Sequence, residues 1–178
     1  YLKNKEKISN LSSEKNDELI KELTKQIISL GGKPTLDQTD QKSLIKNLTK
    51  QLDTLSVKSI LNDKSKNKIN DEEIKGIKIR FQNVEGLPPK ELRKLVDNGK
   101  KDLGEGIVVV FASKDDKVGV AVGITEKLTS KFDAVKFVKL SSEIIGGQGG
   151  GGRKDFAQAG GQDQNKINEA FEKIKSLI

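Results

Sequence analysis

Gly146-Gly147-Gln148-Gly149-Gly150-Gly151-Gly152-Arg153-Lys154-Asp155-Phe156-Ala157-Gln158-Ala159-Gly160-Gly161 holds eight of the chain's 17 glycines. Glycine is costly to order, so a folded domain keeps it where no side chain is tolerated, in turns of positive φ or where backbone closely approaches a ligand. Gly149 to Gly152 leave a row of bare amide N–H groups beside Arg153 and Lys154, an arrangement that suits an anion. Structure resumes directly at Phe156, so the stretch reads as an ordered binding loop in preference to a linker. A phosphate-binding P-loop needs Gly-x4-Gly-Lys-Ser/Thr between a strand and a helix. Gly147 and Gly152 have that spacing, but Arg153-Lys154-Asp155 follow and the preceding segment reads as helix. That excludes the P-loop and, on topology, a Rossmann turn.

Ile77, Ile79 and Phe81 alternate with Lys78 and Arg80 as a half-buried strand does. Pro88-Pro89 opens a helix through Leu92, Leu95, Val96 and Leu103. Ile107 to Phe111 is an unbroken apolar run, expected to be a strand buried on both faces. Lys114-Asp115-Asp116-Lys117 reads as a hairpin turn into a strand over Val118 to Ile124. A helix is expected over Ser130 to Ile145, with Phe132, Val135, Val138 and Ile145 near one face, followed by the glycine loop and a short extended piece over Phe156 to Ala159. Asp163 or Asn165 caps a last helix carrying Ile167, Ala170, Phe171, Ile174 and Leu177. The order β-α-β-β-α-loop-β-α describes a compact α/β domain of ordinary size for one core.

The N-terminal third is helical in pattern. Leu19, Leu23, Ile27 and Leu30 recur at helical spacing, and Gly31-Gly32 before Pro34 is a stop. A second helix begins near Asp37 and Asp40 and carries Leu44, Ile45, Leu48, Leu52 and Leu55, spaced partly as a coiled-coil seam. The two stripes pack on each other, on a second subunit or on helices upstream; spacing alone leaves these open. Residues 62–72 are nearly devoid of apolar side chains and read as a linker. The expected chain is therefore α+β or α/β: a coiled-coil-like helical hairpin over 1–61, which is a candidate dimerisation region, a linker over 62–72, and a globular α/β domain over 73–178.

Composition narrows the chemistry. With no His and no Cys, the chain offers no imidazole–thiolate zinc site, no His-based triad and no disulfide. Carboxylates are scattered, no catalytic constellation stands out, and no metal site is expected. The absence of Cys fits a reducing compartment. No apolar run is long enough for a membrane helix, and residues 1–5 are not a signal peptide. With no Met anywhere, Tyr1 is not a start site, and the chain reads as a piece of something longer. The net charge of +7 concentrates after residue 73, which suits a polyanion. Seven aromatics in all argue against binding single strands by stacking bases on aromatic platforms.

The run over 146–161 resembles the signature of the DHH-associated domain near the C-terminus of alanyl-tRNA synthetases. Ile77-Lys78-Ile79, Val84-Glu85-Gly86 and the Val108–Ala112 strand extend the likeness, and the helical part headed by Tyr1-Leu2 is similar to the region that follows the editing domain. Lys154 departs from the pattern, standing where bacterial members usually have proline. The resemblance implies a cytoplasmic alanine–tRNA ligase whose catalytic core, with its ATP, and zinc-dependent editing site lie upstream. This segment itself is expected to be non-catalytic and free of cofactors. Its implied roles are self-association through the helices, binding of the tRNA elbow by the globular part, and coupling of aminoacylation to editing.

On that reading Gly149, Gly150, Gly151 and Gly152 form the close-approach surface and Arg153 a bidentate phosphate or base-edge partner. Lys154 adds a second cation. Gln158 offers an amide to RNA or to neighbouring backbone, and Lys136 with Lys139 either extends a basic stripe or is a solvated helix face. Asp155 is expected to fix the loop by accepting backbone N–H bonds. Structured RNA is recognised largely by shape, phosphates and 2′-hydroxyls, which amides and cations can contact. A DHH-type phosphoesterase domain, a free-standing editing factor and a purely structural dimerisation module are the alternatives. The phosphoesterases typically place histidine after their glycine run, where this chain has Arg153.

Overall fold

A computed structural model describes residues 2–37 and 40–178, with side chains from residue 12 onward; Tyr1 lies outside the described residues. The chain divides into two compact units, residues 1–59 and 60–178.

In the first unit, helix α1 spans Leu2–Ser29, and helix α2, Gln41–Asn62, begins there. Asp40 accepts the Ser43 N–H at the start of α2 (3.0 Å). The helices pack on each other through Leu23, Ile27 and Leu48, flanked by Ile20, Leu44, Ile45, Leu52 and Leu55. Two members of the expected stripe turn outward, Leu19 at 44% and Leu30 at 39% exposure. The contact follows the 20–23–27 spacing, so Ile20 takes the place that Leu19 was expected to fill. Gly31 stops α1 at positive φ, a conformation glycine reaches without strain.

The second unit is a six-stranded mixed sheet with helices on both faces. Its elements are β1 (Asn67–Ile74), β2 (Ile77–Glu85), α3 (Leu92–Leu103), β3 (Ile107–Lys114), β4 (Lys117–Ile124), α4 (Ala134–Ile144), β5 (Gly150–Gly152), β6 (Phe156–Gly161) and α5 (Ile167–Lys175). The strand order is β1-β2-β3-β4-β6-β5, with β2 and β3 parallel through the α3 crossover and every other pair antiparallel. Every residue of β3 from Ile107 to Ser113 and of β4 from Val118 to Ile124 is buried, as the apolar run predicts. One face carries Val109, Phe111, Val120 and Val122 against Phe137 and Val138 of α4 and Ala170 and Ile174 of α5. Phe171 stands edge-on to both Phe81 (4.8 Å) and Phe111 (4.9 Å). On the other face α3 lies so close that side chains on Gly119 and Gly123 would run into Leu92 and Val96. The β3–β4 turn holds both Asp115 and Asp116 at positive φ, the two-residue hairpin that its sequence predicts.

The structure corrects two expectations. Residues 67–72, read as linker, belong to β1, which leaves only 63–66 between α2 and the sheet. The helix expected over 130–145 is a 3-10 turn over Glu126–Ser130 followed by α4 from Ala134, because Asp133 breaks off and caps the later turn by accepting the Val135 N–H (2.9 Å). The charges that make β1 read as linker are its cross-strand partners. Asp71 opposes Arg80, whose guanidinium spans Asp71 (2.7 Å) and Asp102 of α3 (2.7 Å). A polar edge strand also discourages edge-to-edge pairing with other chains.

The Arg80 hydrogen bond lowers the Asp71 pKa from its ordinary value of 3.8. A carboxylate with a depressed folded-state pKa stabilises the fold above its unfolded value and loses that contribution as pH falls through the folded one. Asp71 is half exposed, so the contribution stays under about 1 kcal/mol. The expected result is that Asp71→Asn melts slightly below the parent chain at pH 7 and together with it near pH 2. A difference that persists at pH 2 would assign the pair another role.

Candidate nucleic-acid interface

The glycine stretch folds into a β-hairpin. Gly150, Gly151 and Gly152 register with Ala159, Gln158 and Ala157, and the Arg153 N–H donates to the Phe156 carbonyl (2.7 Å) across a two-residue turn of Lys154 and Asp155. The tip is fastened on two sides: the Ala134 N–H at the start of α4 donates to the Lys154 carbonyl (3.0 Å), and the Ile124 N–H donates to the Asp155 carbonyl (2.8 Å). The root is held by Ser142, which is fully buried. Its hydroxyl donates to the Gly160 carbonyl (2.8 Å) and accepts from the Gly149 N–H (3.2 Å). Ser142 escaped the sequence reading because a serine inside a helix carries no outward sign of a loop partner.

Packing or a positive φ accounts for most of the glycines. A Cβ on Gly150 would meet Ala159, one on Gly152 would meet Phe156 and Ala157, and one on Gly147 would meet the Gly160 carbonyl. Gly151 is different: like Gly146 and Gly149 it is exposed and a Cβ there meets nothing within 4 Å, but unlike them it does not sit at positive φ. In an antiparallel ladder, hydrogen-bonded and non-hydrogen-bonded pairs alternate. Since Arg153 faces Phe156 through a hydrogen bond, Gly152 and Gly150 turn their N–H and C=O away from β6, and β5 ends the sheet. Of the expected row of bare amides, Gly149 is bound to Ser142 and Gly151 pairs with β6, so that Gly150 and Gly152 alone present theirs, on the free edge of the sheet.

The cations sort by face. Arg153 stands at the tip with its side chain 70% exposed, and its guanidinium pairs with Asp155 through Nε (3.2 Å) and Nη2 (3.3 Å). Asp155 thus holds Arg153, where it was expected to accept backbone N–H bonds. An exposed pair of this kind is weak and yields to a stronger anion. Lys154 is exposed and borders two surface depressions. One contains Lys136 and Lys131 on the α4 side, and the other contains Lys100, Glu126 and Thr129. Lys139 is exposed one turn further along α4 with Glu143 beyond it, outside both depressions. Gln158 is exposed on β6 and its amide makes no hydrogen bond among the described residues.

Two residues join the site from outside the sequence reading. Arg93 of α3 lies over the Phe156 ring (4.9 Å), and Lys100 borders the same depression as Lys154 and Asp155. Only the sheet order, which sets β6 beside β4 beneath α3, brings them to the hairpin. Among the described residues no group of three or more acidic side chains could hold a metal ion, and no helix is long and apolar enough to cross a membrane.

The DHHA1 domain family model matches residues 76–178. The chain is 49% identical over 107 residues to an alanine–tRNA ligase of Hyphomonas neptunium and 45% identical over 108 residues to one of Parvibaculum lavamentivorans. Each match covers 60% of this chain and 12% of the relative, so the chain matches about an eighth of the length of these curated relatives. Among solved structures, the C-Ala domain of Aquifex aeolicus alanyl-tRNA synthetase aligns with a TM-score of 0.57 at 28% identity, covering 61% of this chain and 96% of that domain.

Proposed function

This chain belongs to the DHHA1 domain family, and on that premise we propose that it is the tRNA-binding C-terminal module of an alanine–tRNA ligase. The observation that carries the reading is the glycine hairpin, a side-chain-free sheet edge fastened at root and tip with Arg153 and Lys154 exposed at its turn. Amides and cations held in fixed geometry suit the phosphates and 2′-hydroxyls of folded RNA. The names of the relatives supply the substrate class, a tRNA. Within the parent enzyme the module grips the tRNA elbow and helps present one tRNA to both aminoacylation and editing, while the helical unit supports self-association. It performs neither reaction. ATP and zinc belong to upstream domains; with no His or Cys, this chain lacks the ligands of an editing zinc site.

The test is fluorescence anisotropy of the chain with a folded alanine tRNA, an unrelated folded tRNA and an acceptor hairpin without an elbow, at two salt concentrations. Comparable tight binding to both tRNAs with at least about ten-fold weaker binding to the hairpin is expected. Equal, steeply salt-dependent binding to all three would reduce the interaction to phosphate attraction. No binding to any RNA would leave a structural module, whose exposed Leu19, Ile28 and Leu30 would then be its working surface.

A further inference from the structure

The α3-side surface of β6 carries a second kind of contact. Phe156 and Gln158 stand at alternate positions of β6 and therefore face the same side of the sheet as near neighbours. Arg93 covers Phe156 at 4.9 Å, while its own side chain remains 63% exposed and its ion pair to Asp97 is long at 4.0 Å. Next to this stack the Gln158 amide has no partner among the described residues. Gly151, its cross-strand neighbour on the same face, puts nothing above the sheet. The surface is thus bounded at one end by a guanidinium and furnished with one free donor–acceptor pair.

We propose that this surface holds one unstacked nucleobase of the bound RNA, stacked on the Arg93 guanidinium with its edge read by the Gln158 amide. The assignment rests on the reading of the chain as an RNA binder and adds a base contact to the phosphate contacts at the hairpin tip. Guanidinium planes stack on bases, and side-chain amides bond base edges through paired donor and acceptor. A phosphate needs neither feature and is better met at Arg153 and Lys154. The site is a single stack, so the scarcity of aromatics does not count against it.

The test separates stacking from charge with Arg93→Lys, which keeps the cation and loses the plane. The 178-residue chain is titrated with folded alanine tRNA and, in parallel, with heparin, a polyanion without bases. Stacking predicts that Arg93→Lys weakens tRNA binding about ten-fold with an unchanged salt slope and leaves heparin binding as it was. Gln158→Ala, at an exposed residue with no fold partner, is expected to show the same selective loss. Parental tRNA affinity in Arg93→Lys, or parallel losses for tRNA and heparin, would overturn the base site while leaving the RNA-binding reading intact. If the parent chain binds no tRNA at all, both fall together.

Discussion

Gly147→Ala is expected to destabilise the globular unit by about 3 kcal/mol, lowering its melting temperature by roughly 10 °C. The reason is space. A methyl group at Gly147 would run into the Gly160 carbonyl oxygen and the Ser142 hydroxyl, the two atoms whose hydrogen bond fastens the hairpin root to α4. The Gly147 N–H also donates to the Ser142 carbonyl (2.7 Å), so the backbone cannot retreat without losing a second bond. The neighbouring Gln162 and Asp163 N–H groups close on the Ile145 carbonyl (2.8 and 2.9 Å), fixing the segment from the other side. Gly151→Ala is the internal control: its methyl meets nothing within 4 Å. Such a surface change should leave the melting temperature close to that of the parent. Thermal unfolding followed by circular dichroism checks both. Equal melting of the two variants would mean that the hairpin root is not packed as described.

The contrast between these two glycines marks how far the sequence could be read. A run of glycines announces close approach, but not to what; here Gly147, Gly150, Gly152 and Gly161 are approached by the chain itself, Gly146 and Gly149 serve positive φ, and Gly151 has neither reason. Strands β3 and β4 were legible because burial on both faces demands an unbroken apolar run, and Asp115-Asp116 because so few residue pairs accept positive φ at both positions. Strand β1 was not legible. Its Asp71 and Glu72 answer to Arg80 and Lys175, nine and 103 residues away, and a charge whose partner is remote looks like a solvated charge. Strand β5 had no side chains from which a period could be read. For the interface, Arg153 and Lys154 stood out because they adjoin the glycines in sequence. Arg93 and Lys100 adjoin the hairpin only in space, through the placement of β6 between β4 and β5.

Reversing the charge at the hairpin tip with Arg153→Glu and Lys154→Glu is expected to weaken tRNA binding about 100-fold at low salt and to make the dependence of log affinity on log salt shallower by about two. The fold should be unaffected. Both side chains are exposed, the Lys154 link to α4 is made by its backbone carbonyl, and the Arg153–Asp155 pair is a surface pair of small worth. The comparison with Lys136→Glu/Lys139→Glu then tells on which side of the sheet the RNA lies. Those lysines project from α4, whereas Arg93, Lys100 and Gln158 belong to the α3 side, and Lys154 borders depressions that hold members of both sets. With RNA across the α3 side, the α4 pair costs no more than about three-fold, the loss of distant, screened attraction. Salt dependence separates the cases further, because losing a lysine in direct contact reduces the slope and losing a distant one hardly does. A larger loss from the α4 pair than from the tip would place the RNA along α4, and it would make the Arg93 stack a feature of the fold alone.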